Sequence, residues 1–117
     1  AYKEEYKNKK VCMIFQPHRF SRTAQLFDDF IKVLKKTGSL ILLDIYSASE
    51  KPIKGINSRT IVETLKQKGH KDVTYLKNHS DIVNLIAQKK DSFDILITQG
   101  AGSVSKVCEA IKDKWKR

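Results

Sequence analysis

Four short apolar runs, separated by segments with helical periodicity, limit the folds open to this chain of 117 residues. The runs are VCMIF (11–15), LILLDI (40–45), VTYL (73–76) and DILIT (94–98). None of them alternates cleanly between apolar and polar residues. Each run is therefore suited to a strand that is covered on both faces, as in a parallel sheet flanked by helices.

The segments between these runs repeat their apolar residues at the spacing of an amphipathic helix. They predict helices that begin after Thr23, at Asn57 or Ser58, at Ser80 or Asp81, and at Ser103. With right-handed crossovers, this βαβαβαβα order predicts an α/β fold, a three-layer αβα sandwich around a mostly parallel, Rossmann-like sheet. Residues 1–117 are expected to form a single domain because the chain has no linker or internal repeat. The order of the strands stays open.

The net charge of +10 makes nucleic acid a candidate partner that has to be weighed. Lysines account for 19 of the 23 basic residues and are scattered along the chain. Nucleic-acid-binding domains more often concentrate arginine and aromatic residues on one element, so no nucleic-acid partner is expected. The sequence has no apolar stretch near 18 residues and no signal-peptide pattern, so we expect a cytoplasmic protein without a membrane partner.

The cysteines and histidines do not form a recognisable metal site. Cys12 lies in an apolar run and Cys108 in the last predicted helix, without a C-x-x-C pair or a histidine cluster. We expect two reduced, buried thiols, with a disulfide or a metal site as the alternative. His70 and His79 lie in lysine-rich turns and are expected at the surface. No metal ligand and no catalytic residue can be named from spacing alone.

Ligands of parallel α/β sheets bind at the carboxyl ends of the strands. Three segments are expected to meet at that edge: QPHRFSRT (16–23), IYSASEKPI (45–53) and TQGAGS (98–103). VTYLKNH (73–79) would form a fourth, less distinctive part of it. The second segment belongs to a stretch without helical or strand periodicity, residues 44–58, and loops of that length are usually functional or mobile.

The first of these segments contains a basic cluster, His18, Arg19 and Arg22. Guanidinium groups are suited to carboxylate or phosphate, and the N-terminus of a following helix would add unpaired N–H groups. The cluster therefore predicts an anion site. In the alternative interpretation, the arginines pair with Asp28 or Asp29 on the surface.

The glycines of the third segment allow a tight turn and a close approach of a ligand to the backbone. Gly100 and Gly102 lack the third glycine of the dinucleotide-binding fingerprint, and the chain contains no P-loop. Ser103 can cap the last helix. This segment is either an anion cradle or a simple strand-to-helix turn.

Taken together, three motifs resemble the C-terminal domain of the Mur ligases, and among them the branch that joins L-alanine to UDP-N-acetylmuramate. The motifs are FQPHRFSRT (15–23), LLDIYSASEKPIKGINS (42–58) and TQGAGSVSKV (98–107). The resemblance implies an ATP-dependent, ADP-forming amide ligase of peptidoglycan precursor synthesis, and hence of cell-wall biogenesis, cell shape and cell division. This domain would bind the amino acid and close as a lid over an acyl-phosphate intermediate.

The resemblance also implies roles for particular residues. His18, Arg19 and Arg22 would line the amino-acid pocket, with the arginines facing the alanine carboxylate, and Ser103 would help to hold the incoming amino acid. ATP and Mg²⁺ would be cofactors of the full-length enzyme that this domain alone does not bind.

The sequence departs from the family in its extent. It contains no P-loop, no UDP-sugar domain and no recognisable magnesium ligands. We therefore expect a fragment that folds but is inactive alone, and that meets L-alanine, ATP and UDP-N-acetylmuramate only with the missing domains. The alternative is a stand-alone α/β module that binds a small phosphorylated ligand through the same edge.

Overall fold

The computed structural model describes residues 10–89, 91–100 and 104–115, which contain a parallel sheet with the strand order β3-β2-β1-β4. The strands are β1 (Val11–Gln16), β2 (Ser39–Leu42), β3 (Val73–Tyr75) and β4 (Ile95–Gly100). The helices are α1 (Phe20–Gln25), α2 (Phe27–Leu34), α3 (Ser58–Gln67), α4 (His79–Lys89) and α5 (Val104–Trp115). The predicted α/β sandwich is confirmed, and the strand pairs in the described residues are all parallel.

Strand β1 lies between β2 and β4, and each of its residues is buried. Met13 and Phe15 belong to the core on one face of the sheet, whereas Cys12 and Ile14 belong to the core on the other face. Helices α2 and α3 complete the first core, and α4 and α5 complete the second. Because helices cover both faces of the sheet, the side chains on both faces of β1 are buried. This explains why apolar and polar residues do not alternate in its sequence.

The bounds of some elements differ from the prediction. Strand β2 ends at Leu42 rather than at residue 45, and β4 extends to Gly100. The single helix predicted after Thr23 is two helices, interrupted at Leu26, whose backbone φ of −107° leaves the helical range. The predicted cap of α3 is confirmed, since the Asn57 side chain accepts a hydrogen bond from the backbone N–H of Thr60 at 2.9 Å.

The prediction of a surface position for His70 is wrong. His70 is 8% exposed, and the backbone N–H of Asp72 donates to its Nδ1 at 3.2 Å. Its Nε2 lies 3.2 Å from the Thr37 hydroxyl, which donates its own proton to the Leu34 carbonyl. The neighbouring lysines indicate a polar turn, but they do not show that the His70 side chain is buried.

The two cysteines are free thiols, so no disulfide joins them. Cys12 is fully buried, and burial raises the pKa of its thiol. Cys108 is only half-buried, so the expectation of two buried thiols is correct for Cys12 alone. Among the described helices, none is long and apolar enough to cross a membrane.

Gly100 ends β4 where that strand lies against the end of β1. It is opposite Gln16 in the ladder, and its φ of +127° falls in the range that favours glycine. A Cβ atom at this position would lie 2.3 Å from the Gln16 carbonyl oxygen. The close approach of the two strand ends therefore requires glycine here.

We expect Gly100→Ala to lower the free energy of unfolding by roughly 3 kcal/mol or more, since it combines a backbone clash with an unfavourable φ. Gly69→Ala is the matched control, because Gly69 has a φ of +98° but nothing within 4 Å of an added Cβ. That control should cost about 1 kcal/mol, the strain alone. Urea unfolding of the two variants measures the difference, and equal losses would contradict the close approach.

Candidate functional site

The carboxyl ends of β1 and β2 are joined beyond the strands themselves. The backbone N–H of Tyr46 donates to the Pro17 carbonyl at 2.8 Å, and the N–H of Arg19 donates to the Tyr46 carbonyl at 2.7 Å. These bonds form an isolated parallel bridge between His18 and Tyr46. We call residues 17–22 the arginine turn and residues 43–57 the β2–α3 loop. The sequence correctly predicted that these two segments meet.

His18 is half-buried, and its ring stacks on that of Tyr46. The ring centroids are 5.6 Å apart and the planes are inclined by 12°. Tyr46 is itself 42% exposed. The pair presents an aromatic surface beside the arginine turn, with both rings held by the backbone bridge beneath them.

Arg19 and Arg22 are both exposed. Helix α1 begins at Phe20, so Arg19 is the residue before the helix, with a φ of +68°, and Arg22 is within it. Neither guanidinium forms an ion pair with Asp28 or Asp29, and the salt bridge found in the described part of the chain joins Lys89 to Asp72. The alternative interpretation, in which the arginines pair with Asp28 or Asp29, is therefore not found in the structure. Both guanidinium groups are accessible to an anion.

Glu50 is a site residue that the sequence did not reveal. Its Oε1 accepts the backbone N–H of Ser21 at 3.0 Å, and its Oε2 accepts the Ser21 hydroxyl proton at 2.5 Å. These two hydrogen bonds lower the pKa of the Glu50 carboxyl, and the charge of Arg19 lowers it further. The Glu50 carboxylate is therefore bound to the arginine turn. A carboxylate of the chain itself already caps α1, where an anionic ligand was expected to find free N–H groups.

Gln16 links the ends of three elements. Its side chain is buried; Nε2 donates to the Asp44 carbonyl at 3.1 Å, and Oε1 accepts the backbone N–H of Val104 at 3.1 Å. One amide thus connects the end of β1 to the β2–α3 loop and to the start of α5. The sequence shows only a glutamine before Pro17, which carries no signal of these contacts.

The third predicted segment is described only in part. Gly100 lies at the end of β4, as expected, and Val104 begins α5. Gly102 and the predicted site residue Ser103 lie outside the described residues. The turn that contains them is nevertheless bounded on both sides by contacts to Gln16.

The fourth part of the edge is a polar cluster at the end of β3. The Tyr75 hydroxyl donates to the Asp44 carboxylate, and the Arg59 guanidinium lies 5.5 Å from the centre of the Tyr75 ring. Partial burial and the Asp44 carboxylate raise the pKa of the Tyr75 hydroxyl. These three side chains are thus engaged with one another, whereas Arg19 and Arg22 are exposed.

Among the described residues, no group of three or more His, Cys, Asp or Glu side chains that could hold a metal ion occurs. The sequence contains no P-loop. The exposed guanidinium groups of Arg19 and Arg22 are suited to an anion.

No protein-family model matches the chain. A search of curated proteins finds UDP-N-acetylmuramate–L-alanine ligase of Vesicomyosocius okutanii, which is 41% identical over 112 residues. The chain is similar to this ligase over nearly its whole length. The alignment covers 96% of this chain but 24% of the ligase, so the chain spans about a quarter of the length of its relative. The resemblance inferred from the three motifs is confirmed.

We expect Gln16→Leu to lower the free energy of unfolding by about 2 kcal/mol, because the buried N–H of Val104 then loses its acceptor. Gln67→Leu is the matched control, since Gln67 is exposed at the end of α3. It should stay within about 0.5 kcal/mol of the unchanged chain. Urea unfolding measures both variants, and a neutral Gln16→Leu would show that the amide is not needed.

Glu50 should titrate below 4.5, its ordinary pKa, because the Ser21 hydrogen bonds favour the ionised carboxylate. A carboxyl with a lowered folded pKa stabilises the fold above its unfolded pKa, and this stabilisation is lost as the pH falls through the folded pKa. The cap of α1 should therefore persist at neutral pH and open only in acid. The ¹³C shift of the Glu50 carboxyl gives the midpoint, which should move upward in Ser21→Ala.

Proposed function

We propose that this chain is the amino-acid-binding, lid-like domain of an ATP-dependent, ADP-forming ligase. The complete enzyme would join L-alanine to UDP-N-acetylmuramate in peptidoglycan precursor synthesis. The proposal rests on one observation. This chain, which is similar to a ligase of that name, presents two exposed arginines without ion pairs at the carboxyl edge of its parallel sheet. Ligands of such sheets bind at that edge.

Arg19 and Arg22 would bind the α-carboxylate of the amino acid. Guanidinium groups form charge-assisted, often bidentate hydrogen bonds with carboxylates, and they stay charged at every relevant pH. A carboxylate fixed in this way leaves the amino group free to be directed at the activated carboxyl group of the sugar nucleotide. Positioning of this kind supplies a large part of the rate acceleration when two bound reactants are joined.

His18 and Ser103 would complete the contacts to the amino acid. His18 offers a ring nitrogen beside the arginines, and its ring is stacked on that of Tyr46. We assign Ser103 to the turn that helps to hold the incoming amino acid, on the basis of the TQGAGS motif. These roles keep the chemistry of this domain to binding and orientation, and we name no catalytic residue in it.

We assign ATP, Mg²⁺ and UDP-N-acetylmuramate to other domains of the complete ligase, because the sequence contains no P-loop and the described residues contain no cluster of metal ligands. Closure of this domain would exclude water from the reacting groups, and water would otherwise hydrolyse an acyl phosphate. We place the reaction in the cytoplasm and expect no turnover from this chain alone. Ligase activity of the 117-residue chain alone would contradict this assignment of the substrates to other domains.

In the complete ligase, we expect Arg19→Ala or Arg22→Ala to raise the KM for L-alanine about 10- to 100-fold, the effect of losing one charge-assisted hydrogen bond. The KM values for ATP and UDP-N-acetylmuramate should stay unchanged. Lys66→Ala, at an exposed lysine in the last turn of α3, controls for loss of one positive charge. Steady-state kinetics with each substrate varied in turn checks the prediction.

Unchanged alanine kinetics in both arginine variants would remove the arginine turn from the amino-acid site. Tight binding of a phosphorylated small molecule to the unaltered chain, lost in the same variants, would then favour the stand-alone module instead.

A further inference from the structure

We propose that Tyr46 and Glu50 of the β2–α3 loop are positioning residues that fix the arginine turn for binding of the amino acid. The inference rests on the proposed function, because it assigns these residues a role in the same site. Neither residue is proposed to touch the substrate. They act through the side chains and backbone of the arginine turn.

The arginine turn contributes little to its own stability. Helix α1 has six residues and a single buried side chain, that of Thr23. Helices this short are not stable through their own hydrogen bonds. Arg19 also has a φ of +68°, a strained value for a residue with a side chain. Contacts from elsewhere in the fold therefore have to hold the two arginines in place.

The β2–α3 loop supplies those contacts at both ends of the strained residue. Tyr46 lies on the near side, where it forms two backbone hydrogen bonds with the turn and stacks on His18. Glu50 lies on the far side, where both of its carboxylate oxygens accept protons from Ser21. Arg19 is thus fixed between two points of attachment, and Arg22 follows one residue after the second.

The loop can act as a support because it is itself anchored to the sheet. Leu43 and Ile45 are buried, and the Ser58 hydroxyl donates to the Leu43 carbonyl. The loop then turns at Ala48 and Ser49, which both have positive φ values, and the N–H of Glu50 donates to the Ser47 carbonyl at 3.0 Å. This tight turn directs Glu50 back toward α1.

The hydrogen bonds of Glu50 also distinguish a positioning role from direct contact with the substrate. A glutamate that bound the amino group of the substrate would act through its charge. Both oxygens of Glu50 are instead engaged by Ser21, so the shape of the side chain matters more than its charge. Glutamine can keep this arrangement, with its oxygen accepting the Ser21 N–H and its amide nitrogen donating to the Ser21 hydroxyl. The same reasoning makes phenylalanine a substitute for Tyr46, since the stack on His18 needs only the ring.

The test compares paired variants in the complete ligase. Glu50→Ala and Tyr46→Ala should each raise the KM for L-alanine about tenfold, since small displacements of binding groups have large kinetic effects. Glu50→Gln and Tyr46→Phe should stay within about twofold of the unaltered enzyme, and the KM values for ATP and UDP-N-acetylmuramate should not change. Hydrogen exchange of residues 19–26 should be faster in Glu50→Ala.

Glu63→Ala is the matched control, because Glu63 is an exposed glutamate on α3, and it should change neither the kinetics nor the exchange. A Glu50→Gln enzyme as impaired as Glu50→Ala would overturn the proposal in favour of a direct charge effect on the substrate. Equal rises in the KM for all three substrates, or unchanged exchange at residues 19–26, would overturn it as well.

Failure of this inference can be told apart from failure of the proposed function. If the arginine variants raise the alanine KM and Glu50→Ala does not, the amino-acid site stands and the positioning role is wrong. If the arginine variants leave the alanine KM unchanged, the proposed function is wrong, and the role of Glu50 in amino-acid binding is wrong with it. Faster exchange in Glu50→Ala would then report a structural cap alone.

Discussion

The buried amide of Gln16 is the interaction on which the arrangement of the edge depends. A primary amide removed from water needs partners for both its oxygen and its nitrogen. Gln16 finds them in the carbonyl of Asp44 and the N–H of Val104, which belong to segments that follow different strands. Since neither partner can move far without leaving a buried polar group unsatisfied, the end of β1, the β2–α3 loop and the start of α5 are held together.

Much of the fold could be predicted because it depends on properties that neighbouring residues share. Both faces of β1 are buried, so the run VCMIF is apolar throughout and identifies a central parallel strand. The cap at Asn57 is equally local, since its partner is three residues away. The burial of His70 is not local in this sense. His70 is buried because Thr37, 33 positions earlier, offers it a hydrogen-bond partner.

The candidate site divides in the same way. His18, Arg19 and Arg22 could be found because a basic cluster after an apolar run is visible in nine consecutive letters. Glu50 could not, because its partner Ser21 is 29 residues away and nothing in EKPI distinguishes a cap from a solvated loop pair. Pattern thus reveals which groups could bind a ligand. The groups that fix those side chains in position can be identified only from the contacts between the loops.

The carboxylate that caps α1 also sets the electrostatic character of the arginine turn. Two guanidinium groups and one carboxylate leave a single positive charge in excess among Arg19, Arg22 and Glu50. Because both oxygens of that carboxylate accept protons from Ser21, its negative charge is held at the start of α1 and offsets part of the positive charge of the turn.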